Sequence, residues 1–176
     1  AGGVAAGDLF AETGVSGHVL VTGASGFVGK ALVASLLREG RPVLAATRNP
    51  EAQSIPEGAG AVAIPDLAEA VDWWPLLDGV DAVVHLAGIA HVGPDVDPDL
   101  YDGVNHIATA NLVAACAEAG VRRFVFMSSV RAQSGPAASY VLSERDEPQP
   151  SEPYGASKLQ AEAAVQDSGV PWTILR

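Results

Sequence analysis

Short apolar runs alternate along the chain with stretches of helical periodicity. Val19-Leu20-Val21, Val43-Leu44-Ala45-Ala46, Val62-Ala63-Ile64, Ala82-Val83-Val84-His85-Leu86, Phe124-Val125-Phe126-Met127 and Trp172-Thr173-Ile174-Leu175 read as six strands. Between them, Phe27 to Arg38 repeats its apolar residues at helical spacing and stops at Gly40. Leu100 to Ala119 does the same and is closed by Gly120, and Tyr154 to Gln166 forms a third helix. Glycine just past the last periodic residue is a common helix C-terminal signal. The strands are apolar throughout rather than alternating, so both of their faces must be covered. That pattern predicts an α/β domain with a doubly wound parallel sheet, whose ligand lies outside the carboxyl ends of the strands. Two stretches interrupt the alternation. Residues 49–60 form a Pro/Gly-containing loop, and 130–153 is a long polar segment leaving the fifth strand. Loops of that length are usually functional or mobile.

Composition narrows the picture. The chain has 176 residues, 48% hydrophobic and 18% charged, enough apolar material for one buried core. The first sixteen residues are rich in Gly and Ala and read as a flexible extension ahead of a domain spanning 17–176. They carry no basic segment followed by an apolar one, so no signal peptide is expected. The missing initial Met, and the end at Arg176 straight after an apolar run, lead us to expect a processed or partial chain. A formal charge of −11 argues against nucleic acid or an anionic membrane surface as partner. No apolar run is long enough for a spanning helix. Cys116 is the single cysteine, which excludes an internal disulfide framework and fits a reducing, cytoplasmic setting.

The first strand runs into Thr22-Gly23-Ala24-Ser25-Gly26-Phe27-Val28-Gly29 and then a helix. Gly23 allows the tight turn, Gly26 lets backbone approach a pyrophosphate, and Gly29 allows close packing of the helix. The helix N-terminus adds free N–H groups and a positive dipole end. This predicts a dinucleotide site. About twenty residues on, where an NAD site usually has a carboxylate for the ribose hydroxyls, stand Thr47 and Arg48. Arg48 can pair with the 2′-phosphate of NADP, so NADP is slightly preferred over NAD, with a solvated surface arginine as the alternative. Ser129 lies at the carboxyl end of the fifth strand, and Tyr154 and Lys158 stand at i and i+4 on one helix face. An ammonium near a phenol favours its ionised, basic form.

Taken together, the glycine loop, His85-Leu86-Ala87-Gly88, Asn105, Ser128-Ser129 and Tyr154-Gly155-Ala156-Ser157-Lys158 resemble the extended short-chain dehydrogenase/reductase family, in its nucleotide-sugar epimerase/dehydratase branch. The resemblance runs from about His18 to Arg176. It implies a Rossmann-type domain followed by a C-terminal substrate domain that this chain lacks, so that the chain by itself is expected to bind dinucleotide without turning over substrate. It also implies Ser129, Tyr154 and Lys158 as catalytic residues. The cofactor contacts would be Gly23, Gly26, Phe27, Val28, Gly29, Arg48, Asp66, Leu67, Leu86, Ala87, Gly88, Asn105, Tyr154 and Lys158. For Asp66 a helix N-cap ahead of Leu67 to Ala70 is an equal reading. Phe124 to Ser129 and Glu144 to Lys158 look most like enzymes acting on UDP-N-acetylhexosamine derivatives.

Two departures bear on the reaction. Val130-Arg131-Ala132-Gln133 replaces the family's Val-Tyr-Gly run, and 4,6-dehydratases carry Asp-Glu where Val130 and Arg131 stand. The expected activity is therefore NAD(P)-dependent 4-keto reduction or 4-epimerisation of a nucleotide-linked sugar, with homodimer formation left open. The rival reading is a non-catalytic dinucleotide-binding sensor or scaffold, which has no use for a Ser–Tyr–Lys set. His18, His85, His91 and His106 have no metal-ligand spacing, so no metal is expected. Cys116 reads as a small core residue, Trp73-Trp74 as packing at the domain edge, and Asp95 to Asp102 as a solvated loop and helix start.

Overall fold

The computed structural model describes residues 17–51, 54–90 and 97–176. The expected extension at 1–16, His91 and Asp95 lie outside the described residues. Six strands form one parallel sheet: β1 (His18–Thr22), β2 (Val43–Thr47), β3 (Gly60–Ala63), β4 (Val80–His85), β5 (Arg123–Met127) and β6 (Trp172–Leu175). Their order is β3-β2-β1-β4-β5-β6, with the topological switch between β1 and β4. Helix α1 (Phe27–Arg38) joins β1 to β2 and α2 (Trp74–Leu77) precedes β4. Before β5, α3 (Pro98–Tyr101) runs through a π-helical stretch, Asp102–Ile107, into α4 (Ala108–Glu118). Between β5 and β6 come α5 (Val130–Gln133) and α6 (Pro153–Asp167).

Strands β1 and β2 are buried along their whole length because two cores sandwich them, whereas the edge strands β3 and β6 are partly exposed. Side chains point alternately to the two faces of a strand. On one face Leu20, Leu44, Val83, Phe124 and Phe126 pack with Leu112 and Cys116 of α4 and with Ala161 and Val165 of α6. On the other, Val19, Val21, Val43 and Ala45 pack with Val33 of α1. Cys116, on the first of these faces, is fully buried, as expected, and burial pushes its thiol up to about 12. The sheet is the predicted one, with shifted edges. β3 begins at Gly60 and ends at Ala63, although Ile64 N–H still reaches the Thr47 carbonyl at 2.9 Å.

Some local expectations need correction. The long helix starts at Pro98, two residues early, because Asp97 caps it: its Oδ1 accepts from Asp99 N–H at 3.0 Å. Proline suits the first helical turn, where its missing N–H costs nothing. Residues 130–153 are not all loop, since Ser129 caps the short α5. Trp73 does not sit at the domain edge; it is 3% exposed within the larger core, whereas Trp74 is exposed. Asp66 caps no helix, because the residues after it form only turns.

Candidate active site

A cleft of about 280 Å³ opens at the carboxyl ends of β1, β2 and β4. Its floor is the glycine loop, and its walls include Arg48, Asp66, Leu67, Leu86, Ala87 and Gly88. Gly23 has φ +67°, a conformation that disfavours any side chain, and a Cβ there would also meet Ala87 N at 2.8 Å. A Cβ on Gly29 would lie 2.2 Å from the Gly23 carbonyl oxygen, so the first turn of α1 can close on the loop only with glycine. No side chain caps α1, and its first turn carries no acid. The leading N–H groups are thus available to an anion, and Gly26, Phe27 and Val28 are exposed beside them. These features fit a dinucleotide pyrophosphate.

Arg48 is not the isolated cation that the end of β2 suggests. Its Nη1 lies 3.0 Å from Asp66 Oδ2, with both side chains largely open to solvent. Asp66 also accepts from Ala68 N–H, which lowers its pKa with further help from Arg48. The carboxylate that the tip of β2 lacks in sequence is therefore supplied from the end of β3, eighteen residues away.

Asn105 is buried behind Gly88. Its Oδ1 accepts from Ile89 N–H at 2.9 Å, and its Nδ2 donates to the Ile89 carbonyl at 2.9 Å and to Ser157 Oγ at 3.2 Å. It shapes the cleft wall by holding this backbone.

The three candidate catalytic residues come from β5 and α6. Ser129 is extended, with its Oγ accepting from Arg131 N–H at 3.1 Å, so its hydroxyl proton remains available to donate. Tyr154 is half-buried in the first turn of α6, its ring 6.0 Å from that of Tyr101. Lys158, one turn on, is 5% exposed and places Nζ 4.2 Å from the centre of the Phe126 ring, on the strand that leads to Ser129. Val130 is exposed, and Arg131 is held by Glu152 at 3.1 Å.

Burial lowers the Lys158 pKa to about 8, with the Glu162 charge opposing the shift. Between pH 8 and the ordinary lysine value of 10.5 the unfolded chain binds a proton that the folded chain does not. The charging penalty is thus fully present below pH 8 and disappears toward pH 10.5, so stability from this group rises with pH across that window. Lys158→Met removes the penalty and the cation–π contact together, and is expected to raise the unfolding free energy at pH 7 by about 2 kcal/mol. Urea titrations at pH 7 and 10 check this: the variant's advantage should shrink at the higher pH, and an equal advantage at both would contradict it.

The sequence reading passed over the groups beneath this trio. Glu162, one further turn along α6, is 2% exposed. It accepts from Arg176 Nε at 3.0 Å and Nη2 at 2.6 Å, and from the Ser128 hydroxyl. Arg176 also donates to Gln133 Oε1, whose Nε2 reaches the Asp146 carbonyl at 2.6 Å. The i, i+4 spacing of Lys158 and Glu162 was the available signal. Elsewhere, His18 Nδ1 meets the Gly79 carbonyl at 3.0 Å, and His106 pairs with Asp102 at 2.8 Å. Among the described residues no cluster of His, Cys, Asp or Glu has the makings of a metal site, and no helix is long and apolar enough to cross a membrane.

Residues 19–176 match the model of the NAD dependent epimerase/dehydratase family. The chain is 33% identical over 168 residues to UDP-glucose 4-epimerase of Vibrio cholerae, spanning 90% of this chain and 50% of that protein. It is 39% identical over 113 residues to 2-alkyl-3-oxoalkanoate reductase of Stenotrophomonas maltophilia (strain K279a), spanning 63% of this chain and 33% of that one. The solved structure of MoeE5 in complex with UDP-glucose and NAD superposes with a TM-score of 0.77 at 36% identity, covering 90% of this chain and 52% of MoeE5. The chain thus spans about half the length or less of these relatives.

Proposed function

The chain belongs to the NAD dependent epimerase/dehydratase family, and from that membership and the cleft we propose that it forms the dinucleotide-binding part of an NAD(P)-dependent oxidoreductase acting on nucleotide-linked sugars of the UDP-hexose or UDP-hexosamine type. One observation carries the reading: Tyr154 and Lys158 share a face of α6, and the Lys158 ammonium lies on the Phe126 ring of the strand that leads to Ser129. The glycine loop would hold the pyrophosphate, and Ala87 and Gly88 would face the rest of the cofactor with backbone. When bound, the nicotinamide supplies the hydride acceptor and donor. Tyr154 moves the matching proton at the sugar hydroxyl or keto oxygen. Ser129 donates a hydrogen bond to that oxygen, and Lys158 stands one helical turn from Tyr154 on the same helix. MoeE5 binds UDP-glucose with NAD, which supports the substrate class.

Arg48 bears on reduction against epimerisation. An epimerase returns its hydride and keeps its cofactor; a reductase consumes the hydride and exchanges it. A guanidinium can meet a 2′-phosphate through two charge-assisted hydrogen bonds. Asp66 opposes this by its charge and offers an acceptor to a 2′-hydroxyl instead. Because the Arg48 side chain is 69% exposed, we take the low end of such a bond, about 1.5 kcal/mol. Arg48→Ala should then weaken NADPH by about tenfold while changing NADH little. Fluorescence titration with both reduced cofactors checks this, and an unchanged ratio would leave Arg48 as the partner of Asp66 alone. Incubating the full-length protein with UDP-hexoses, and separately with a UDP-4-keto-hexose and NADPH, then separates the activities. Interconversion of C4 epimers without net cofactor change marks an epimerase, and reduction of a 4-keto sugar at the expense of NADPH marks a reductase. The absence of both products would overturn the proposed function.

A further inference from the structure

His85 ends β4 fully buried, and each ring nitrogen meets a hydroxyl. Nδ1 lies 2.7 Å from Thr22 Oγ1, and Nε2 lies 3.0 Å from Thr109 Oγ1. A neutral imidazole has one N–H and one lone pair, and its neighbours decide which nitrogen carries which. Thr109 has a single hydroxyl proton, and it points to the Asn105 carbonyl 2.6 Å away. Toward the ring Thr109 can therefore only accept, which puts the proton on Nε2. Nδ1 then accepts the Thr22 proton, and the Thr22 oxygen accepts from Ala87 N–H at 3.3 Å. Each donor is used once and all bonds run in one direction.

The chain of bonds continues through Asn105. Its Nδ2 donates to Ser157 Oγ, and Ser157 donates to the Tyr154 carbonyl at 2.8 Å. One end of the series is the cofactor-facing backbone beside the glycine loop. The other is the first turn of α6.

We propose that His85 is a positioning residue, locked as its Nε2–H tautomer, which couples the Thr22–Ala87 edge of the dinucleotide cleft to the helical turn bearing Tyr154. The surroundings support a neutral ring: burial pushes its pKa down to about 3, with the Lys158 charge adding to the shift. Phe126 stacks on it with ring centres 5.8 Å apart. The coupling rests on the reading of the cleft as a dinucleotide site; the tautomer does not.

The test has two arms. In the first, ring-nitrogen NMR of the histidine-labelled chain at pH 7 reads the tautomer. His85 is assigned by its loss in His85→Gln or, if that variant does not fold, by its cross-peaks to the Phe126 ring protons. A protonated Nε2 and a bare Nδ1 are expected, and an Nδ1–H ring or a charged one overturns the inference. In the second, NADH and NADPH dissociation constants are measured for Thr22→Val, Ser157→Ala and the double variant. Distant, independent sites add. Here the double variant should fall short of the multiplied single effects by about threefold or more, because either change alone interrupts the same series. Multiplicative losses overturn the coupling. Failure of the wild-type chain to bind either cofactor would instead overturn the reading of the cleft, which the ring spectrum does not depend on.

Discussion

In a full-length enzyme carrying this chain, Tyr154→Phe is expected to keep cofactor affinity and lose turnover by about 10²–10⁴-fold. The substitution removes one oxygen and nothing else. The ring stays half-buried in the first turn of α6, tilted 55° to Tyr101 across 6.0 Å, so the packing that holds the turn is preserved. The hydrogen bond from Ser157 to this turn uses the Tyr154 carbonyl rather than the phenol. The cleft wall and the Lys158 position should thus survive, and only the proton-carrying group is lost. Steady-state turnover with a UDP-hexose and a fluorescence titration of NADH on the same preparation separate the two effects. Turnover within a few-fold of wild type would remove Tyr154 from the chemistry. A parallel collapse of cofactor affinity would make its role one of binding.

The second large effect is on stability. Glu162 is a carboxylate at 2% exposure, and Arg176 meets it with two donor nitrogens. Breaking a buried ion pair by removing one partner costs about 3–5 kcal/mol, because the other charge is left without compensation. Arg176 keeps an open edge, with its side chain 24% exposed, so water can reach part of the gap. We therefore expect Arg176→Leu to lower the unfolding free energy by about 3 kcal/mol, the low end of that range. Adding Glu162→Leu should recover most of the loss, since an apolar pair of similar volume often replaces a buried ion pair without penalty. Urea unfolding of the two variants tests this. A double variant as unstable as Arg176→Leu alone would show that the bonds to Ser128 and Gln133, rather than the charge balance, dominate this corner.

How much of this could be read beforehand depended on the range of the interaction. Apolar runs such as Val83-Val84 and Phe124-Val125-Phe126 announce a two-sided sheet because burial on both faces removes the polar alternation. Gly23 and Gly29 were legible because strand, turn and helix adjoin in sequence. The partner of Arg48 was not. In sequence Asp66 reads as a cofactor contact or a helix cap, and only the parallel pairing of β2 with β3 brings the two together. The pairing of Glu162 with Arg176 was equally hidden, since two residues fourteen apart leave no local pattern. The π-helical stretch at Asp102–Ile107 escaped because its apolar residues also fit an α-helical period; only the backbone bonds tell the two apart.

The strand order also shapes how the chain can fold as it is made. β1 emerges first, yet it lies at the centre of the sheet, paired with β2 on one side and β4 on the other. Its β2 side is completed by the first half of the sequence. Its β4 side stays open until residues 23–79 and then β4 have been synthesised, about 3–13 s at ordinary translation rates. During that interval a strand with an apolar centre, Val19-Leu20-Val21, presents unpaired N–H and C=O groups, the kind of edge that recruits other chains. The arrangement that places the cleft at the switch point thus also creates a period of exposure during synthesis, and it ends only when β4 docks beside β1.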